Sequence, residues 1–361
     1  MKRKLFIILS TLVLIITLLF SFVFKDNKEN NKEISKVEKL LSKPEGIQAY
    51  TLNGEKTNIS FNELINGYTI NKITCKNGTV ATYNKTTNEV SLSNIHMPDY
   101  CTMDFKHSIY SKLLADNKTI KTRTDFSSVF TETNTGTLYK ATESIVGSTP
   151  KEVYYFAGNA KNNWVKFAGY YWRIIRTNHD GSVRLLYSGT SPDTTKGYIE
   201  ESPFNSVLND PMYVGYMYGT SGSLENNRKN TNDSTIKSTI DTWYKNNLTN
   251  HTKYLSVSAV YCNDRELESD SMYSVSSGFN YAARGRLFTN KMPSYNCTNS
   301  KDAFSGSNTK AKLNYPVGLM SADEVAYAGG KAGSEVSAVW YYLNSNGGSI
   351  IGSTWWWLMS P

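Results

Sequence analysis

Residues 5–24 carry no charged side chain and are almost wholly aliphatic or phenylalanine, with Lys2, Arg3 and Lys4 before them and a charge-mixed stretch from Lys25 after them. A helix of about twenty such residues reaches about 30 Å, the thickness of a bilayer's hydrocarbon core. Nothing else in the chain limits its fold so strongly, because such a segment sends everything that follows to one side of a membrane. The basic residues ahead of it, against Lys25, Lys28 and Lys32 offset by Asp26, Glu29 and Glu33, predict an amino terminus inside and the bulk outside. A cleaved signal peptide is the alternative. Its apolar core is usually shorter and ends in small residues, whereas a cut after Ser21 would leave Leu19 three places back. The expectation is an uncleaved signal anchor over 1–24, single-pass in the cell membrane of a Gram-positive type of host, with lipid as the partner of residues 5–24.

An exported chain of 361 residues has room for one large domain and one or two small ones. Its 39 basic against 31 acidic side chains give +8, and the excess forms no long basic stripe. That balance predicts weak attraction to anionic wall polymers and no nucleic-acid partner. The four cysteines fall in two separated pairs, Cys75 with Cys101 and Cys262 with Cys297. In an oxidising exterior an even count points to disulfides, each local pairing contributing roughly 3–4 kcal/mol by loop closure. Cross-pairing and free thiols stay open, and the absence of a C-x-x-C spacing argues against zinc.

Residues 25–47 alternate Lys, Glu and Asn with a few apolar positions and read as a spacer. Residues 48–107 carry strand alternation and turn signals: 68–75 runs into the turn Lys76-Asn77-Gly78, and 80–83, 90–92 and 100–105 follow. They predict a small antiparallel β domain stapled by Cys75 and Cys101. Residues 108–150 read as a connector with a helical piece near 109–115. The large α+β domain, 151–361, opens with a hairpin. Residues 164–177 are almost continuously aromatic or branched, residues 178–181 turn, and residues 182–188 return. Asp180 has no acidic neighbours at ligand spacing, so a turn is expected there and not a calcium loop. A helix over 235–248 follows, with Ser234 as N-cap and Ile236, Ile240, Trp243, Tyr244 and Leu248 on one stripe. A shorter helix starts with the capping box Ser321-Ala322-Asp323-Glu324 and stops at Gly329-Gly330. Its position at a helix start explains Asp323 and Glu324 without catalysis.

Three runs carry a resemblance: Trp164-Val165-Lys166-Phe167-Ala168-Gly169-Tyr170-Tyr171-Trp172-Arg173-Ile174-Ile175-Arg176, Gly318-Leu319-Met320-Ser321-Ala322-Asp323-Glu324-Val325-Ala326-Tyr327-Ala328-Gly329-Gly330, and Trp355-Trp356-Trp357-Leu358-Met359-Ser360-Pro361. With the segment between Cys75 and Cys101, the chain from about Tyr68 onward resembles uncharacterised membrane-anchored surface proteins of gut Firmicutes. The helix near 321–328 is also similar to the Leu-Pro-Thr-Glu-Ala-Glu-Trp-Glu-Tyr-Ala element of formylglycine-generating-enzyme-like domains, which implies a C-type-lectin-like fold. The copper-binding cysteine pair of those enzymes has no counterpart here. The Glu-Pro-Asn and Trp-Asn-Asp motifs of calcium-dependent lectins do not occur. Members of the group continue past the Trp-rich strand to a closing Val-Arg-Pro-Val-Ile-Ser-Leu segment. This chain stops at Pro361, so the large domain is expected to be incomplete at its C-terminus, leaving the 164–188 hairpin with an open edge.

No nucleophile elbow, P-loop, Rossmann glycine pattern or H-E-x-x-H motif occurs, and the histidines at 96, 107, 179 and 251 are scattered. No catalytic residue, metal ligand or cofactor is expected. The binding candidates are aromatic: Tyr213, Tyr216 and Tyr218, and the triplet Trp355, Trp356 and Trp357, whose alternation along a strand cannot place all three in one core. An aromatic core belt is the competing account of these residues. The functional expectation is an anchored extracellular protein that binds a glycan, wall polymer or protein, with adhesion as its role. An extracellular enzyme on wall or host polymers, or a purely structural surface protein, are the alternatives.

Overall fold

The computed structural model describes residues 47–333 and 356–361, apart from 53–54, 59, 62–63, 66–67, 85–88, 193–196 and 208. The expected anchor over 5–24, the spacer up to residue 46, and Trp355 lie outside the described residues, and Ile47, expected as the spacer's last residue, belongs to a strand. Among the described residues no helix is long and apolar enough to cross a membrane. The chain mixes helix and strand in small sheets and divides into two compact units, residues 1–112 and 113–361.

In the first unit β1 (Ile47–Leu52), β2 (Glu55–Lys56), β3 (Tyr68–Cys75) and β6 (Cys101–His107) form a sheet in the order β2-β1-β6-β3, while β4 (Val80–Asn84) and β5 (Glu89–Ser93) pair as a separate hairpin. The expected strands are present, but the sheet is not purely antiparallel, since β1 runs parallel to β6. Strand alternation sets residue faces and leaves the direction of a partner open, which is why the pattern did not reveal this. Ile47, Phe61, Leu64, Ile65, Met103 and Phe105 form the core. Within it the rings of Tyr50 and Phe61 stack at 5.3 Å. Cys75 and Cys101 are directly paired across β3 and β6 and are disulfide-bonded. The crosslink therefore closes the base of the excursion that contains the β4–β5 hairpin. Beside it the Asp99 carboxylate accepts the backbone N–H groups of Asn77 (2.8 Å), Thr79 (3.0 Å) and Tyr100 (2.7 Å), buckling the turn at 76–78. Against desolvation, these donors hold that carboxyl below its ordinary range.

The second unit is built on a six-stranded sheet. It contains β7 (Thr119–Thr122), β9 (Thr137–Glu143), β10 (Lys151–Tyr155), β12 (Trp164–Phe167), β13 (Tyr170–Thr177) and β14 (Val183–Tyr187). Short strands β8 (Thr133–Asn134) and β11 (Asn159–Ala160) pair beside it. Residues 108–150, expected as a connector, thus supply α1 (Ile109–Asp116) and two strands of this sheet. The run 164–177, expected as one strand, is broken. Ala168 and Gly169, with φ of 53° and 84°, make a two-residue left-handed turn closed by the Phe167–Tyr170 pair, so β12, β13 and β14 form a meander. Successive β9 residues serve opposite faces. Leu138 joins Phe156, Ile174, Ile175 and Met320, whereas Tyr139 joins Tyr155, Tyr295 and Tyr327.

Helix α2 (Thr235–Asn247) starts where expected, the Ser234 hydroxyl accepting the N–H of Lys237 at 3.2 Å. Its Trp243 and Tyr244 pack with Trp172, Tyr170 and Tyr187 of the meander. The turn after β13 is locked. Asp180 accepts from Ser182, Ser256 and Ser258, and although desolvation opposes this, those donors bring its carboxyl down to about 2. Between α2 and α3 (Ala322–Ala328) the chain is mostly loop, and Arg265 organises it. This fully buried side chain bonds Asp302 Oδ1 (2.7 Å), Asn230 Oδ1 (2.8 Å), Asn227 Oδ1 (3.1 Å) and the carbonyls of Met217 and Lys301. The Cys262–Cys297 disulfide ties the same region.

Candidate functional site

The aromatic candidates do not act as one group. Tyr216 is fully buried in the core formed with Ile236, Ile240, Phe304 and Met359. Tyr213 and Tyr218 lie half-buried with ring centres 5.0 Å apart. Trp357 is 48% exposed, packs its ring on Phe204 at 5.6 Å and donates its indole N–H to the Ser202 carbonyl. Trp356 is 36% exposed. Tyr216 is thus core, and Tyr213, Tyr218, Trp356 and Trp357 present partial aromatic faces at the surface.

The most chemically loaded place lies elsewhere, around a small polar cavity of about 20 Å³ whose walls include Arg176, Arg184, Asp264, Arg286, Asp323 and Glu324. Arg176 comes from β13 and Arg184 from β14, both side chains are buried, and neither can go into a protein interior without partners. Arg176 Nε donates to Glu324 Oε1 and Nη1 to Glu143 Oε1, each at 2.9 Å. Arg184 Nε lies 3.2 Å from the same Glu324 oxygen, and its Nη2 donates to the Val260 carbonyl. The remaining carboxylate oxygens are taken by backbone: Glu324 Oε2 by the Ser321 N–H, completing the predicted capping box, and Glu143 Oε2 by the His179 N–H. Both guanidinium groups also lie over rings, Arg176 over Tyr295 at 4.4 Å and Arg184 over Tyr261 at 4.2 Å.

The second half of the wall is a bridge. Arg286 donates to Asp323 through Nε (3.2 Å) and Nη2 (2.7 Å), and the same Nη2 reaches Asp264 Oδ2. The Ser294 N–H adds a 2.7 Å bond to Asp323. Asp264 sits in a left-handed backbone conformation, φ 54°. Burial pushes its carboxyl up to about 6, an effect that the facing Arg286 only partly offsets. Burial pushes Glu324 up as well, but Arg184 and Arg176 outweigh it and hold that carboxyl below its usual range. Desolvation likewise pulls Arg176 down, and Glu143 and Glu324 hold it above its ordinary value. The cavity therefore combines ion pairs that hold one another with one carboxyl that burial pushes up to about 6.

Sequence reasoning reached Asp323 and Glu324 only as helix-capping residues and did not reach the others. A usable signal existed: Arg176 and Arg184 interrupt otherwise apolar strands, and buried arginines need polar partners, carboxylates above all. Which carboxylates answer them could not be read, because Glu143, Asp264 and Glu324 lie far apart in the sequence, with loop-rich chain before Glu324. Among the described residues, no group of three or more His, Cys, Asp or Glu side chains is placed to hold a metal ion. No family model, curated protein or solved structure matches the chain.

Proposed function

We propose that the chain is a membrane-anchored extracellular surface protein whose larger unit, read as a C-type-lectin-like domain, binds a glycan, wall polymer or protein ligand in an adhesive role. The observation that carries this reading is that each unit holds its own disulfide, Cys75–Cys101 and Cys262–Cys297. Such bonds persist outside the cytoplasm and are rare inside it. The leader's charge pattern supports the same compartment, and the half-exposed rings of Tyr213, Tyr218, Trp356 and Trp357 supply flat faces of the kind that stack on sugars and apolar ligands. Protease added to intact cells should remove the bulk of the chain while leaving a lipid-embedded stub. The full-length protein displayed on glycan and matrix arrays should retain a ligand. Protection from the protease, or mature protein free in the medium without its leader, would overturn the tethered reading.

An enzymatic reading on wall or host polymers has one observation in its favour, the cavity carboxyl of Asp264 that titrates near neutrality. Turnover of a wall polymer without stable retention would favour it over binding.

A further inference from the structure

We propose that the loop 94–100 of the first unit is a membrane-contact tip, with the Ile95, Met97 and Tyr100 side chains seated among the headgroups and upper acyl chains of the bilayer that tethers the chain. This rests on the tethered reading above and gives the first unit a task within it. The side chains pose the question. Ile95, Met97 and Tyr100 are 59%, 85% and 61% exposed, and Met97 is the most exposed large apolar side chain among the described residues. Such groups crowded on one loop hold apolar area in water, the mark of a surface that meets a partner. The loop is also fixed in place. Cys101, which follows it, is crosslinked to Cys75, and Asp99 is turned back onto the N–H groups of Asn77, Thr79 and Tyr100.

The backbone of the loop meets the demand that lipid makes. Apolar surroundings penalise any N–H or C=O that gives up water without gaining another partner. The His96 N–H donates to Thr79 Oγ1 at 3.0 Å, and the same hydroxyl lies 3.4 Å from the His96 carbonyl. The Pro98 carbonyl accepts from the Asn77 side-chain amide, and the Tyr100 carbonyl accepts the Lys76 N–H at 3.1 Å. Residues 76–79 thus engage the main chain of the loop and leave its apolar side chains exposed. No Asp, Glu, Lys or Arg lies between Glu89 and Asp99, so no such charge has to be desolvated there.

The partner follows from where the chain enters. β1 runs parallel to β6 with Ile47 opposite Cys101, so the chain reaches the sheet at the end that carries the loop. Residues 25–46 cannot carry Ile47 more than about 75 Å from the apolar run, and at the dimensions of a flexible chain they hold it about 25 Å away. The exposed side chains are therefore presented at the tethered end, within reach of lipid. Their chemistry suits the interface, Ile95 and Met97 being apolar and Tyr100 adding a hydroxyl for the headgroup layer.

The test reconstitutes the full-length protein into vesicles of phosphatidylcholine and phosphatidylglycerol and recovers them by flotation. Hydroxyl radicals are then generated throughout the water by X-rays, and methionine oxidation is followed by mass spectrometry. Met272, 83% exposed in the second unit, is the internal reference. Exposure within the chain alone gives Met97 and Met272 similar rates, whereas a lipid-seated Met97 should oxidise at least fivefold more slowly. The double variant Ile95→Asp and Tyr100→Asp changes two exposed positions and should bring Met97 up to the rate of Met272, with an intact Cys75–Cys101 bond reporting that the unit is folded. Ile95→Leu should keep the protection. Equal rates in the wild-type protein would overturn the tip. So would protection that rises with the density of protein in the vesicles, since a second copy would then be the occupant. Flotation with equal rates removes the tip and leaves the tether standing, while failure of the wild-type protein to float overturns the tethered reading itself.

Discussion

The two units keep their shape by different means. The first unit has a core of a few aliphatic and aromatic side chains and closes its longest excursion with a disulfide across adjacent strands; its polar fastenings are Asp99 at the surface and the buried Asp104, which accepts from the uncharged Thr51 and Asn71 side chains. The second buries guanidinium groups against carboxylates, at Arg176, Arg184 and Glu324 and again at Arg265 and Asp302, and uses its disulfide to tie loops. A small domain has too little apolar area to fold securely and gains most from a covalent restraint. A larger one can hold charges inside, provided that each keeps its partner, and becomes sensitive to the loss of any single member.

That contrast is open to direct attack, beginning with the largest expected effect. Arg176→Met leaves the buried Glu143 without its guanidinium partner and Glu324 with Arg184 alone, and should cost roughly 3–5 kcal/mol of urea-unfolding stability in the second unit. The first unit's transition should not move. The double variant Cys75→Ser and Cys101→Ser should do the opposite, lowering the first unit by about 3–4 kcal/mol through lost loop closure. Proteolysis should then cut that unit while the second stays resistant. Equal losses in both units from either change would break the comparison.

Asp264→Asn sharpens it through pH. Because the folded carboxyl titrates at about 6, above its unfolded value near 4, its favourable contribution is present below pH 4 and is lost as pH rises through 6. The variant should match wild type at pH 4 and exceed it by roughly 2–3 kcal/mol at pH 8 in urea titrations. A difference independent of pH would show that Asp264 is paired as well as its neighbours. The smallest effect belongs to Ser321→Ala, which removes the cap of α3 and should cost about 1 kcal/mol by thermal unfolding, with Arg176 and Arg184 still paired to Glu324.

Local signals were legible wherever one stretch of chain settles its own structure. The start of α2 at Ser234, the capping box at Ser321, the turn at 76–78 and the strand ending at Cys75 all follow from neighbours in sequence. Reading failed where conformation or pairing depends on distant residues. Ala168 is an ordinary strand residue by type, and only the Phe167–Tyr170 pairing forces it into a left-handed turn. Residues 108–150 looked unstructured because their Thr and Ser carry little periodicity, yet β9 becomes an interior strand once β10 and β7 flank it. The site suffered most. Tyr216 was singled out by its aromatic character and proved to be core, whereas Asp264, inconspicuous in sequence, acquires its character only from burial beside Arg286.

Arg265 fastens five separate points of a region that has little helix or sheet of its own. Three of its bonds go to side chains and three to main-chain carbonyls, so much of the frame is fixed at these points. Between them, exposed positions such as 275–278 are free to exchange residues over generations with the frame intact, whereas Cys262, Asp264 and Arg286 are held by bonds of their own. A single inward arginine thereby gives the outer loops latitude to acquire new surface chemistry, much as a hub lets spokes be replaced one at a time.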